Sequence, residues 1–258
     1  MISLNAKTIQ KSFTEQAKNF ETKSMNFTNS EYLEHMVSCV NPQRSDSVLE
    51  VAAGTCICGR SLAPFVKNVT CLDMTTAMLA VGKAEAAKQK LLNMNFVQGD
   101  AEKLPFSDNS FDIVISRLAF HHFPNTKRCF SEMVRVLKTG GKLVVMDMEA
   151  AEETLRNTED EIETLRDPSH MRNLSKEEFT EMFQDSRLPI TTMDCTELPV
   201  SLSAWLVLTN TPTQIAADIS KRFMDEINGS GLTGFNPYEN NGKIYFNQRW
   251  LMMIGKKL

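Results

Sequence analysis

Apolar positions along the chain fall into two rhythms. Short continuous apolar runs alternate with stretches where apolar residues recur every three to four positions, the pattern of a parallel sheet covered by helices on both faces. SVLEVAAG (47–54), VTCLDM (69–74), NFVQGD (95–100), FDIVISRLAF (111–120) and GKLVVMDM (141–148) read as five strands. AMLAVGKAEAAKQKL and CFSEMVRVLK read as helices between them, the second with Phe130, Met133, Val134 and Leu137 on one side, and TGG at 139–141 supplies its stop. Ahead of the core, Phe13, Ala17 and Phe20, then Tyr32, Leu33, Met36 and Val37, predict two amphipathic helices.

After Asp147 the text becomes acidic and helical in AAEETLRNTEDEIETLRD and again in LSKEEFTEMFQDS, where Ser175 and Glu178 have the spacing of a capping box. PITTMDCTELPVSLSAWLVL is mostly extended, PTQIAADISKRFMDEING is helical, and KIYFNQRWLMMIGKKL closes the chain as a strand. The expected organisation is N-terminal helices over 1–45, a doubly wound α/β core over 46–150, and a helical insert with C-terminal strands over 151–258.

At 258 residues with 42% apolar side chains, the chain is long enough to bury a full core. A formal charge of −4 with dispersed lysines gives no basic footprint, so no nucleic-acid partner is expected. MISLNAKTIQKSFTEQ lacks the basic and apolar parts of a secretory leader, and no run is apolar enough for a transmembrane segment. A soluble, cytoplasmic protein is the expectation. Six scattered cysteines read as reduced, buried small side chains. Cys56 and Cys58 form a CxC without a second pair nearby in sequence, so no metal site is expected.

EVAAGTCICGRS (50–61) ends the first strand in a glycine turn that admits three ligands. GTCICGRS nearly spells a phosphate-binding P-loop, and LVVMD (143–147) resembles its magnesium-site strand. Arg60, however, stands where a compact lysine ammonium belongs. A dinucleotide fingerprint needs G-x-G-x-x-G, and the window from Ala52 gives A-x-G-x-C. The third reading is a nucleoside without phosphates. Asp73, 23 residues after Glu50, suits ribose hydroxyls, and Gly99, Asp100 and Ala101 end the third strand where a carboxylate and an N–H can meet adenine. Ser116, Arg117 and Leu118 end the fourth, and all four strand ends converge where an open sheet reverses its order.

LEVAAGT, LDMTTAML, GDAEKLPFSDNSFDIVISRLAFHHF and MVRVLKTGGKLVVMD, in that order, resemble the class I S-adenosylmethionine-dependent methyltransferases, in particular the ubiquinone and menaquinone biosynthesis branch. The resemblance covers 47–148 and fades after about residue 150. It implies a Rossmann-like, seven-stranded sheet, mostly parallel with an antiparallel last strand, and helical lid elements. The cofactor implied is S-adenosyl-L-methionine, with Glu50, Ala52, Gly54, Thr55 and Cys56 at its methionine and ribose. Asp73 would take the ribose, Met74 and Met78 would lie beside the adenine, Gly99, Asp100 and Ala101 would read its edge, and Ser116 and Arg117 would lie near the methionine end. One departure matters: Cys56 stands where the family has the last glycine of G-x-G-x-G, so that either the sulfur crowds the ligand, at about 1–3 kcal/mol, or the loop has shifted to fit, and cofactor binding is expected to survive.

The sulfonium methyl is already activated, so the protein mainly aligns a small-molecule acceptor for in-line displacement and excludes water. His121 and His122 follow the fourth strand and are the candidate proton acceptors, against the plain alternative that they cap the next helix or line the pocket. Arg117 either faces the methionine carboxylate or covers the sheet with its stem. Phe13, Phe20 and residues 167–175 are lid candidates with packing as their ordinary role; His170 and Arg172 are weaker acceptor contacts, and Met252 and Met253 read as core. Besides the methyltransferase, a non-catalytic S-adenosylmethionine-binding module, a P-loop protein and an NAD-dependent dehydrogenase remain open at this level.

Overall fold

The computed structural model describes residues 4–17, 20–21 and 29–258. Helices α1 (Leu4–Gln16) and α2 (Ser30–Val40) precede the core, and residues 22–28 between them lie outside the described part. The core then runs β1 (Ser47–Val51), α3 (Ile57–Leu62), β2 (Asn68–Asp73), α4 (Thr76–Lys88), β3 (Met94–Gln98), β4 (Phe111–Arg117), α5 (Thr126–Val136) and β5 (Leu137–Met148). Helices α6 (Arg156–Arg166) and α7 (Lys176–Asp185) follow, then β6 (Ile190–Ser201), α8 (Leu202–Leu208), α9 (Thr213–Ile227), β7 (Tyr238–Asn240) and β8 (Lys243–Lys256).

The sheet order is β3-β2-β1-β4-β5-β8-β6, with β7 paired to β8 as a short eighth strand. Strands β1 to β5 are parallel, and β8 runs antiparallel between β5 and β6. The expected seven-stranded, mostly parallel sheet with an antiparallel last strand is therefore present, and β7 is the addition. Alternation along each strand splits the core in two. Leu49, Val51, Val114, Leu143 and Val145 face α5 and α7, while Val48, Ile113, Ile115, Val144 and Met146 face α2, α3 and α4. A third cluster gathers Phe223, Phe235 and Phe246 around Trp205, with Phe20 packed against it.

Two boundaries differ from the sequence expectation. Helix α5 ends at Val136, before TGG, because Asn109 N and Ser110 N take the carbonyls of Arg135 and Val136, and Lys257 Nζ takes that of Val134. These donors satisfy last-turn carbonyls that a longer helix would bond internally. TGG instead lies inside β5, where Gly140 N donates to Lys257 O and a Cβ on Gly141 would fall 2.8 Å from Asp112 O. Within the stretch expected to be mostly extended, residues 202–208 form α8, whose Leu202, Trp205 and Leu206 have helical spacing and are all buried. The Ser175 capping box forms as expected, with Glu178 N donating to Ser175 Oγ and Ser175 N to Glu178 Oε2.

Candidate active site

The strand order reverses between β1 and β4, so their carboxyl ends open a crevice that neighbouring crossover helices do not fill. A cavity of about 770 Å3 occupies it, floored by the ends of β1 to β4 and covered by Ile9, Gln10 and Phe13 of α1 together with Phe20. Gln10 Nε2 donates to Met74 O at 3.0 Å, pinning α1 over the β2–α4 loop. Arg60, the residue at the lysine position of the P-loop match, is buried and pairs with Glu21 at 2.6 Å.

The turn after β1 shows what the A-x-G-x-C pattern encodes. Ala52, Gly54 and Cys56 have φ of 52°, 52° and 62°, all left-handed. Glycine occupies that region without penalty, whereas an alanine or cysteine there carries about 1–2 kcal/mol of strain. Two carboxylates hold the turn against it. Glu50, buried, accepts Gly59 N at 2.8 Å and Cys58 N at 3.2 Å, which satisfies orphan amides at the start of α3. Asp73 accepts Gly54 N on Oδ2 at 2.7 Å and Thr75 N on Oδ1 at 2.8 Å, clamping the first and second strand-end loops together. Burial pushes both carboxyls up, Glu50 to about 7 and Asp73 above its usual value, against the pull of those amides.

Cys56 does not crowd the cavity. Its left-handed backbone turns the sulfur outward, behind the loop, to where a Cβ on Gly82 of α4 would meet it at 2.7 Å. Glu50, Cys56 and Cys71 bring three donor atoms within 4.8 Å of one another, the one such group among the described residues. Burial raises the Cys71 thiol well above its usual value, and both Glu50 oxygens already accept amides, so this cluster serves the turn. Cys58 is likewise pushed up to about 12 by burial. The expectation of uniformly buried cysteines needs correction: Cys39 is half-buried and Cys195 exposed.

Of the residues expected at a cofactor, Glu50, Ala52, Gly54, Thr55, Asp73 and Met74 line the cavity, as do Met78, Gly99, Asp100, Ala101 and Arg117. Ser116 is fully buried and Cys56 lies behind the loop, so neither is in the wall. Asp73 and Asp100 thus face one cavity, and Asp100 is fixed by Glu102 N donating to its Oδ1 at 2.9 Å. Arg117 lies over the Trp250 ring at 5.0 Å while also reaching the cavity. The buried Thr55 Oγ1, on a lining residue, has no hydrogen-bond partner among the described residues. Gln10, Thr75, Gln98, Phe123, Pro124 and Cys129 also line the cavity and were not foreseen from the sequence.

The paired histidines take different partners, although their rings lie 4.2 Å apart. His121 turns away from the cavity, its Nδ1 meeting Asp147 Oδ1 at 2.5 Å. Asp147 also accepts the amides of Ala119, Phe120 and Met148, so the aspartate that resembled a magnesium ligand is fully engaged. Burial disfavours charge on both, yet their mutual attraction wins: His121 is held above and Asp147 below its usual value. His122 lines the cavity, with Nδ1 3.0 Å from the Ser169 carbonyl oxygen. Burial first, then the neighbouring His121, pulls His122 down to about 3 and keeps the ring neutral.

Residues 49–145 match the family model described as a methyltransferase domain. The uncharacterized methyltransferase YcgJ of Bacillus subtilis is 31% identical over 217 residues, 84% of each chain. The chain belongs to the class I S-adenosylmethionine-dependent methyltransferases. The crystal structure of YcgJ superposes on this methyltransferase with a TM-score of 0.80 at 29% identity, over 89% of this chain and 99% of that one. The ubiquinone/menaquinone biosynthesis C-methyltransferase UbiE of Rhizobium rhizogenes is 38% identical over 118 residues, 43% of this methyltransferase and 46% of that relative. The triphosphate and dinucleotide readings of the glycine turn are thereby withdrawn: its left-handed positions and Asp73 clamp belong to a methyltransferase. Among the described residues, no helix is long and apolar enough to cross a membrane.

Proposed function

We propose that this methyltransferase binds S-adenosyl-L-methionine in the α1-covered cavity and methylates an uncharged, largely apolar small molecule, with His122 accepting the acceptor's proton. The observation that carries the cofactor assignment is Asp73. Each of its oxygens takes one backbone amide, which orients the carboxylate and leaves further lone pairs on the cavity side for two vicinal hydroxyls. Met74 and Met78 flank the adenine position, and Asp100 with the Ala101 N–H reads its edge. Ala52, Gly54 and Thr55 line the ribose and methionine positions, with Arg117 near the carboxylate; Glu50 acts at one remove, through the α3 amides it holds.

When bound, the cofactor supplies a methyl group already activated by its sulfonium, so the chain's own task is alignment, desolvation and proton removal. Phe13, Phe20, Leu118, Phe123 and Pro124 supply apolar lining to the cavity, the surface that would exclude water once cofactor and acceptor fill it. Arg117 is the sole cationic side chain among the described lining residues, and it lies over Trp250, which disfavours phosphate or carboxylate acceptors. His122, the imidazole in that wall, faces an acceptor whose hydroxyl or acidic carbon loses a proton on transfer; burial and His121 keep the ring neutral and also make it a weak base, which fits a proton that is lost only as the methyl arrives.

The test is release of S-adenosylhomocysteine on a panel contrasting uncharged hydroxylated aromatics with amino acids and phosphorylated amines. Turnover is expected with the first group, and His122→Ala should lower it by about 10²- to 10⁴-fold without changing S-adenosylmethionine affinity. Turnover confined to the charged acceptors, or an undiminished His122→Ala enzyme, would refute the acceptor class or the histidine's role respectively.

A further inference from the structure

The covering helix and the cavity histidine are joined by a short run of buried hydrogen bonds. Asp167, 2% exposed at the end of α6, collects four donors. Its Oδ1 accepts Ser12 Oγ at 2.9 Å, Ser169 N at 2.9 Å and Ser169 Oγ at 2.6 Å, and its Oδ2 accepts Gln16 Nε2 at 2.9 Å. Two of these donors come from α1 and two from Ser169. Gln16 Nε2 also donates to Ser12 Oγ at 2.7 Å, so the two α1 side chains act together.

Ser169 passes the arrangement on. Its carbonyl oxygen faces His122 Nδ1 at 3.0 Å, and its hydroxyl oxygen, whose proton already goes to Asp167, lies 3.2 Å from the same nitrogen. Both oxygens can only accept from the ring, so Nδ1 carries the proton and Nε2 the lone pair. Helix α1 touches the ring directly as well, with Phe13 edge-on at 4.9 Å and 85°.

We infer that seating of α1 over the cavity fixes the proton position on His122 through Asp167 and Ser169, so that the ring offers an unprotonated Nε2 only while the helix is down. Asp167 is then a positioning residue, and the catalytic consequence rests on the reading of His122 as proton acceptor. With α1 lifted, Asp167 loses two of its four donors, and a buried carboxylate short of partners draws in water. Ser169 still reaches Asp167 through its amide, but its hydroxyl now competes with water for that carboxylate and can turn its proton toward His122 Nδ1, 3.2 Å away, so the imidazole takes either tautomer. In the Nε2–H form it presents a donor where a lone pair is needed. Because burial and His121 keep the ring neutral, the variable is tautomer rather than charge. The device couples proton removal to closure, so that the acceptor is deprotonated only in a water-free site.

Long-range 1H–15N correlation spectra of the 15N-histidine-labelled full chain, saturated with S-adenosylhomocysteine, read which ring nitrogen bears the proton. The chain has 4 histidines, and the His122 signal is assigned by its loss in His122→Gln. Wild type should give the pure Nδ1–H pattern, and the Ser12→Ala/Gln16→Ala double variant a mixture of tautomers, with the other three rings unchanged. Asp167→Asn, which keeps the shape, should give the same mixture. An Nε2–H pattern in wild type, or a double-variant pattern identical to wild type, overturns the inference. If instead the tautomer responds but His122→Gln leaves turnover intact, the lock stands and the proton-acceptor reading fails.

Discussion

Replacing Asp73 by asparagine probes the clamp and the proposed ribose contact together. The carboxylate accepts Gly54 N at 2.7 Å and Thr75 N at 2.8 Å through different oxygens. Asparagine has one oxygen, so its NH2 must face one of those amides or the ligand. In the free protein the lost bond is offset in part, because the amide escapes the desolvation that pushes the Asp73 carboxyl up. In the complex there is no such offset. A hydrogen bond to a charged acceptor contributes about 1.5–3 kcal/mol, so loss of one ribose hydroxyl contact weakens S-adenosylmethionine binding by roughly 10- to 150-fold. Isothermal titration calorimetry at pH 8, with S-adenosylhomocysteine as the second ligand, measures it. Both ligands should lose affinity equally, since they share the ribose. The pH dependence has a definite sign: the wild-type affinity should fall as acid protonates a carboxyl whose value lies above the usual 3.8, and Asp73→Asn should flatten that fall. A Kd within about threefold of wild type would refute the ribose assignment.

Three further outcomes follow from the same geometry. Asp147→Asn should cost about 3–5 kcal/mol by stranding His121, read as a drop in Tm. The aspartate's share of that difference is lost as pH falls through its lowered value, below the usual 3.8, and the histidine's as pH rises through its raised value, above the usual 6.5, so the gap should be widest between them. Gly82→Ala places a methyl 2.7 Å from Cys56 Sγ and 2.8 Å from Thr55 O; it should destabilise by about 1–3 kcal/mol and weaken cofactor binding, with only partial rescue by Cys56→Gly because the backbone contact remains. Ala52→Gly relieves a left-handed alanine and should raise Tm by roughly 1–4 °C; a lower Tm would show that the φ of 52° carries no strain.

The sheet was legible because strands buried on both faces must be nearly all apolar, and five such runs stood out between helical spacings. Strand ends then carried Asp73 and Asp100 to one cavity without any tertiary information beyond the order reversal. The turn was legible only in part. Ala52 and Cys56 looked like defects in a glycine pattern, and no rule of spacing told that Cys56 would turn its sulfur toward Gly82. That direction follows from a left-handed φ, which is a property of the folded loop. The histidines failed for a similar reason. They lie in a single 3-10 turn, Phe120–His122, with their rings 4.2 Å apart, and what distinguishes them is the tertiary partner each ring finds. One met Asp147 and the other the Ser169 carbonyl at the cavity wall. Helix α8 was missed because its apolar content resembled the strand before it, although Leu202, Trp205 and Leu206 had the right spacing.

A crystal structure of the chain with S-adenosylhomocysteine tests the central claim most directly. The account requires the ribose hydroxyls within hydrogen-bond distance of Asp73, the adenine edge at Asp100 and the Ala101 N–H, and the sulfur facing the space beside His122. A nucleoside bound elsewhere, or one that leaves Asp73 and Asp100 without a shared ligand, would contradict it.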